Sequence, residues 1–210
     1  MRKPKHKTVE RLLKYLEYVK KKMNDGNMSV FSHELAKYVG VSPAQVRQDL
    51  MDLEIKGTPQ SGYSVEEFFN AICSHLKCEK KTKVILIGVG NLGKAILSYF
   101  LKRKSTLEIA AAFDSDAQKT GRIFSGTPIL NIEEIEKYIK RERIKVAIIT
   151  TPQESAQRIA DLLVRAGIRS IVNFAPVMIQ VPENVFVEQI DITLSIEKAA
   201  YFADETLEAK

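Results

Sequence analysis

The sequence predicts an α/β chain in two parts: a helical N-terminal part, then a parallel sheet with helices on both faces, then one terminal helix. Three observations predict it. From residue 83 onward, apolar runs alternate with segments of helical periodicity, the pattern of strand–helix–strand units. The first of these runs, Lys83-Val-Ile-Leu-Ile, passes straight into Gly88-x-Gly90-x-x-Gly93. Before residue 80 there is no such alternation, only helix-length patterns separated by turn residues.

In the first part, Val9, Leu12, Leu13, Leu16 and Val19 fall at helical spacing, predicting a helix over 8–23 that stops at Asn24-Asp-Gly26. Ser32 is placed as the cap of a short helix containing Leu35, Ala36 and Val39 and ended by Gly40. Ser42-Pro43-Ala44-Gln45 then starts another: Ser at the cap, Pro first in the helix, and Gln in position to complete a capping box. Val46, Leu50 and Leu53 form its buried stripe. Two short helices joined by a tight turn, behind a longer one, make a helix-turn-helix. On the second, Ala44, Gln45 and Gln48 lie off the stripe with Arg47 beside them, and Gln and Arg are side chains that read base edges in a major groove. Gly57-Thr-Pro-Gln-Ser61-Gly62-Tyr63 reads as a hairpin wing, making the unit a winged helix-turn-helix. Ser42 and Lys56 complete the DNA-facing candidates. Ser64-Val-Glu-Glu67 is a second capping box, opening a helix that connects the two parts, and the polar run Cys78–Thr82 is the boundary.

In the second part, strands are expected at 83–87, 108–113, 145–149, 169–172 and 185–188, with helices at 91–103, 132–141 and 153–166 between them. The glycines permit a tight turn, close approach of backbone to a pyrophosphate and helix–strand packing, so the candidate loop is Gly88, Val89, Gly90, Asn91, Leu92 and Gly93. Asp114 closes the next apolar run, where a Rossmann-like fold places the acid that accepts ribose hydroxyls. Its charge, with Ser115 and Asp116 following and no Arg, favours NAD(H) over a 2′-phosphorylated cofactor. Thr150, Thr151 and Pro152, and Asn173 and Phe174, follow later strands at the same sheet edge and are candidates for the nicotinamide half. Ile192 to Leu207 is a last helix whose apolar side needs a surface, its own chain's or a second subunit's.

Charge is uneven: residues 1–82 hold 15 Lys and Arg against 10 Asp and Glu, residues 83–210 hold 17 against 16. A basic head points to a polyanionic partner. No apolar stretch approaches the roughly 20 residues of a membrane span, and the basic N-terminus lacks a secretory core, so a cytoplasmic protein is expected. Cys73 and Cys78 form neither a zinc site nor a disulfide framework, so no metal is expected. All three histidines (His6, His33, His75) precede the sheet, which leaves hydride transfer without the usual His beside a substrate, so catalysis is not expected. The alternatives are a small NAD-dependent oxidoreductase with a basic extension, or a regulator of the same fold that senses coenzyme A.

Over nearly its whole length the chain resembles the Rex family of bacterial redox-sensing transcriptional repressors. The resemblance is carried by Val41-Ser-Pro-Ala-Gln-Val-Arg-Gln-Asp-Leu50, Gly88-Val-Gly-Asn-Leu-Gly93, Ala111-Ala-Phe-Asp114, Asn173-Phe-Ala-Pro176, Val181-Pro182 and Asp191. It implies a winged-helix DNA-binding domain (1–80), a Rossmann NAD(H)-binding domain (81–190) and a C-terminal dimerisation helix (191–210) exchanged between subunits of a homodimer. Such a dimer binds an inverted-repeat operator in double-stranded DNA and leaves it when NADH replaces NAD+. Arg47 and Gln48 would contact DNA, with Ser61, Gly62 and Tyr63 in the wing. Tyr99 and Asp191, with Ile192, match positions that couple nucleotide state to domain arrangement. The chain departs from the family's usual pattern at Gln48, where Lys is common, in Met51–Gly57, and at Ile192, where some members carry an aromatic residue.

Overall fold

A computed structural model describes residues 6–58, 60–78, 81–101 and 106–208, with side chains to residue 203. The basic residues before His6, Pro59 of the wing, the boundary at 79–80, the end of the 91–103 helix and Leu207's side chain lie outside the described residues. The chain divides into two compact units, 1–80 and 81–210.

The first unit is a small helical core. Helix α1 (His6–Asn24) buries Leu12, Tyr15, Leu16 and Val19. After the two-residue strand β1 (Ser29–Val30) come α2 (Ser32–Val39) and α3 (Pro43–Asp52). Gly40 ends α2 in the left-handed conformation (φ 77°), where its N–H and that of Val41 both reach the carbonyl of Ala36. The cap of α2 is Phe31 rather than Ser32. Ser32 is already helical, and the Glu34 carboxylate caps by accepting the Phe31 N–H at 2.9 Å. In α3, Ser42 Oγ accepts the Gln45 N–H at 3.1 Å as expected. The returning arm of the box is absent, because the Gln45 amide turns to Asp49 instead.

Strand β2 (Tyr63–Ser64) pairs antiparallel with β1, and Thr58 bridges Gly62 to close the wing. Helix α4 (Val65–Leu76), which the sequence suggests as a connector, belongs to this core: Val65, Phe68, Ile72 and Cys73 are buried with the α1 residues. Cys73 is a thiol inside the core and Cys78 a thiol at its edge.

The second unit is built on a sheet of seven strands among the described residues. In chain order its elements are β3 (Thr82–Ile87), α5 (Asn91–Leu101), β4 (Leu107–Asp114), β5 (Ile123–Phe124) and β6 (Thr127–Asn131). A 3-10 turn (Ile132–Glu134) follows, then α6 (Ile135–Glu142), β7 (Val146–Ile149), α7 (Gln153–Ala166), β8 (Ser170–Asn173), β9 (Phe186–Gln189) and α8 (Ile192–Glu208). The strand order is β5-β6-β4-β3-β7-β8-β9, parallel throughout except for β5, which runs antiparallel at the edge. Without β5 this is the doubly wound order of dinucleotide-binding sheets, with its topological switch between β3 and β7.

The two faces are covered unequally. Ile85, Ile87, Ala111, Phe113, Ala147, Ile149 and Ile171 pack under α6 and α7. Val84, Leu86, Ile109, Ala112 and Ile148 face the other way, against α5. The switch of face from Ile109 to Ala111 is made by an irregularity in the β3–β4 register at Ala110. Beyond α5 this face carries an apolar groove of about 530 Å³, walled by Val84, Ile96, Tyr99, Val146, Ile148 and Phe174 among others. The apolar side chains of α8 are exposed: Ile192, Leu194 and Ile196 at 52, 61 and 64%.

Candidate functional site

A cavity of about 620 Å³ opens at the carboxyl ends of the strands, on the switch point. Its floor is the glycine loop between β3 and α5, and the three glycines do different things. Gly88 sits at φ +97°, where a Cβ would stand 2.9 Å from the Thr150 carbonyl. A Cβ on Gly93 would run into the Gly88 carbonyl oxygen, so this glycine lets α5 pack against the loop. Among the described residues nothing lies within 4 Å of the missing Cβ of Gly90: it leaves open space in front of the α5 N-terminus. That space, with N–H groups and a helix dipole behind it, suits a phosphate.

Thr150 fixes the loop from the neighbouring strand. Its hydroxyl lies 3.0 Å from the Ile87 carbonyl and 2.7 Å from that of Gly88, and its N–H donates to Ile87 at 2.9 Å. Thr151 differs: its hydroxyl is buried on the pocket wall and has no hydrogen-bond partner among the described residues. An orphaned buried hydroxyl costs about 1–3 kcal/mol unless a ligand satisfies it.

Asp114 ends β4 and lies buried in the pocket wall. Its Oδ2 accepts the Val89 N–H at 2.7 Å and the Lys119 ammonium at 3.1 Å; its Oδ1 accepts the Asp116 N–H at 2.9 Å. Burial pushes its pKa up, but the Asp116 and Val89 N–H groups and the Lys119 ammonium outweigh burial and hold it below the usual carboxylate value. Asp114 is therefore anionic. Of a carboxylate's roughly four acceptor positions about one remains, on Oδ1, for a ribose hydroxyl. Asp114 thus also pins the glycine loop through Val89, a second duty beyond the one the sequence suggests. Lys119 carries no signal in the sequence, since no motif marks a cation five residues past the acid. Ile132, Ser155 and Arg158 also wall the pocket without a sequence signal.

Gly88, Gly90, Asn91, Leu92, Asp114, Thr150, Thr151, Pro152 and Phe174 are brought together in this wall. Val89 and Gly93 are buried behind it and contribute packing and a backbone N–H. Asn173 is fully buried and holds the turn after β8: its amide reaches the Val177 carbonyl and Gln189 Oε1, both at 2.8 Å, and its Oδ1 accepts the Ala175 N–H. It shapes the edge from which Phe174 and Pro176 reach the cavity. The residues present fit an NAD-type dinucleotide on three counts: the open space at Gly90, the unsatisfied Thr151 hydroxyl and the anionic Asp114.

In the first unit Arg47, Gln48 and Ala44 are exposed on α3 and Ser42 at its cap, and Lys56 and Ser61 are exposed before and in the wing. The Arg47 guanidinium lies 3.5 Å from Ser32 Oγ. Gly62 is buried at φ +70°, and Tyr63 packs its ring edge-on against Phe68. Of the wing trio Ser61 is exposed, Tyr63 half-buried and Gly62 buried.

Gln45 is half-buried, drawn in by Asp49. Asp49, only 2% exposed, accepts Arg11 Nε and Nη2 at 2.7 Å each, the Tyr15 hydroxyl at 3.0 Å and Gln45 Nε2 at 3.0 Å. That fills its acceptor positions and clamps α3 to α1. The bond to Asp49 raises the Arg11 pKa, and burial followed by the Asp49 charge raises that of Tyr15.

Tyr99 borders the apolar groove at 53% exposure. Asp191 caps α8, its Oδ1 accepting the Leu194 N–H at 2.9 Å, and Ile192 is the first residue of that helix. Among the described residues no group of His, Cys, Asp and Glu is arranged to hold a metal ion, and no helix is long and apolar enough to cross a membrane.

Residues 5–50 match the family model for the N-terminus of a putative DNA-binding protein, and residues 79–177 match that of a CoA-binding domain. The redox-sensing transcriptional repressor Rex of Lactobacillus acidophilus is 35% identical over 96% of this chain and 95% of its own length. That of Syntrophobacter fumaroxidans is 40% identical over 92% and 93%. The chain belongs to the Rex family. Rex proteins are redox-sensing transcriptional repressors rather than enzymes, so the oxidoreductase alternative falls. Among solved structures, the Rex-family repressor RSP in complex with NAD+ and operator DNA superposes with a TM-score of 0.89 at 32% identity, covering 98% of this chain and 95% of that one. RSP in complex with NADH gives 0.84 over 98% and 97%.

Proposed function

We propose that this Rex-family chain is a cytoplasmic homodimeric repressor that holds an inverted-repeat operator and leaves it when NADH takes its nucleotide pocket. In this reading 1–80 is the DNA-binding domain, 81–190 the nucleotide domain and 191–210 the dimerisation helix. The observation that carries it is the chain-long likeness to RSP, a repressor solved both with NAD+ on operator DNA and with NADH, combined with a cavity at the switch point that fits the dinucleotide.

The glycine loop and the α5 N-terminus would hold the pyrophosphate, and Asp114 one ribose hydroxyl. Thr150, Thr151, Pro152 and Phe174 would flank the nicotinamide half. When bound, the nicotinamide supplies a ring whose charge and planarity change on reduction. Arg47 and Gln48 on α3 would enter the major groove, with Ser42, Ala44, Lys56 and Ser61 near the backbone. Tyr99, Asp191 and Ile192 stand around the groove and the start of α8, where a subunit exchange would be sensed. Two rigid heads must match half-sites about one helical turn apart, so a change in their angle releases the duplex.

Fluorescence anisotropy on an AT-rich palindromic duplex, titrated with NADH and then NAD+, tests the reading. NADH should lower operator affinity by about 5–150-fold, a coupling of about 1–3 kcal/mol. Arg47→Ala should abolish the complex while leaving NADH binding intact. Operator affinity indifferent to NADH would overturn the reading. The match of 79–177 to a CoA-binding model keeps coenzyme A as a second ligand to test, by competition against NADH.

A further inference from the structure

Both glutamines of α3 donate their amide nitrogen to an acid one turn later. Gln45 Nε2 reaches Asp49 Oδ1 at 3.0 Å, and Gln48 Nε2 reaches Asp52 Oδ1 at 3.1 Å. An ionised carboxylate only accepts, so each amide has one allowed orientation: nitrogen to the acid, carbonyl oxygen away from it. The two pairs differ in setting. Gln45 is half-buried and tied to an acid whose acceptor positions are all in use, so it belongs to the clamp between α1 and α3. Gln48 and Asp52 are both exposed, beside Arg47 on the same face.

An outward carbonyl oxygen at Gln48 seeks a donor. In the major groove adenine and cytosine present an amino group, whereas guanine and thymine present acceptors there. With one amide N–H on Asp52, the other lies beside the carbonyl, where it can reach the N7 of an adenine in the familiar two-point contact. A keto base would need the amide turned over, which would point the carbonyl at the Asp52 carboxylate. We propose that Asp52 is a specificity-determining residue: by holding the Gln48 amide nitrogen it makes that side chain an acceptor, selecting an amino-bearing base (adenine or cytosine) at the position Gln48 meets. This deepens the reading of α3 as the DNA-reading helix and rests on it.

The test is selection of full-length protein on a randomised duplex library, followed by anisotropy on single-position variants of the enriched site. The Gln48→Ala variant locates the position, as the one whose preference it erases. There the wild type should favour adenine or cytosine over guanine or thymine by about tenfold. In Asp52→Ala the amide is free to turn, and that ratio should fall to within about twofold. Overall affinity should rise in Asp52→Ala on every sequence, since an acid leaves a surface facing phosphates, so the ratio and not the affinity is the readout. A wild-type preference for keto bases at the Gln48 position, or an unchanged ratio in Asp52→Ala, would each overturn the proposal. Failure of the DNA-binding reading itself looks different: the wild-type protein would enrich no duplex at all. Asp52 is exposed at the C-terminal end of α3, where an acid opposes the helix dipole, so its replacement should leave the fold intact.

Discussion

Gly90→Ala separates the nucleotide cradle from the fold that builds it. The three loop glycines look alike in sequence but not in surroundings. A methyl group at Gly88 meets the Thr150 carbonyl at 2.9 Å and strains a φ of +97°; at Gly93 it strikes the Gly88 carbonyl; at Gly90 it meets none of the described residues within 4 Å. Alanine at Gly88 or Gly93 should therefore cost stability, about 1–3 kcal/mol for overpacking, before any ligand is added. Alanine at Gly90, whose φ is not in the left-handed region, should leave the melting temperature unchanged or slightly raised, since it restricts the unfolded chain by about 0.4–1 kcal/mol. The same methyl occupies the space in front of the α5 N-terminus. Displacing a pyrophosphate there forfeits hydrogen bonds to a charged group, each about 1.5–3 kcal/mol, so two lost bonds mean an affinity loss on the order of 10²–10⁴-fold. The assay is NADH fluorescence titration beside thermal melts of the three variants. If Gly90→Ala binds NADH as the wild type does, the phosphates lie elsewhere and the reading of the cavity fails.

Other perturbations follow from single contacts. Arg11→Met leaves the buried Asp49 with only Tyr15 and Gln45 as donors, and breaking such a pair costs about 3–5 kcal/mol, a large part of a domain's 5–15; urea denaturation followed by circular dichroism should show it, and a loss under about 1 kcal/mol would refute the clamp. Thr151→Val removes an unsatisfied hydroxyl, so the protein without nucleotide should be as stable or more stable while NADH binds about tenfold more weakly; a gain in both would mean the hydroxyl never meets the ligand. Asp114 sits below its ordinary pKa of 3.8, so its contribution to stability is present above that pH and is lost as pH falls through the lower folded value. Lys119→Met removes one of the contacts that lower it and should move the acid limb of unfolding to higher pH; superposable acid titrations would refute that.

How much the sequence disclosed follows the physics of each element. Strands β3, β4 and β7 are buried on both faces, so they appear as unbroken apolar runs whose ends in the sequence agree with those in the structure to within a residue or two. Strands β1, β2 and β5 have two residues each, too few to show any period, and β6 carries Pro128 and follows a tight hairpin. The nucleotide loop was legible because its chemistry is local: turn, close approach and helix start lie in a few consecutive residues. Asp49 was not, because its partners Arg11 and Tyr15 lie 38 and 34 residues away. A signal was present all the same. Asp49 falls on the stripe of Val46, Leu50 and Leu53, and an acid on a buried stripe must find donors. That reasoning would have turned the Gln45 amide toward Asp49. Residue type alone puts Ser32 at the cap and cannot show that Glu34 caps from inside the helix.

The unequal covering of the sheet gives the dimer reading an energetic basis. Alone, α8 presents Ile192, Leu194 and Ile196 at 52, 61 and 64% exposure, while the sheet beyond α5 offers an apolar groove of about 530 Å³. Full burial of such side chains is worth about 1.5–3 kcal/mol each, and an exchange is reciprocal, so both subunits gain. Because these residues are already partly covered, the gain lies at the lower end and competes closely with an association cost of about 4–15 kcal/mol. A balance that close is sensitive to small changes in the groove, and Phe174 supplies a route for them: it walls both the nucleotide cavity and the groove. A nicotinamide that presses on Phe174 differently in its two redox states alters a surface on which the partner's helix would lie. The coupling needed is only about 1–3 kcal/mol, roughly one side chain's burial, so a single shared wall residue is sufficient in magnitude to link nucleotide state to subunit arrangement.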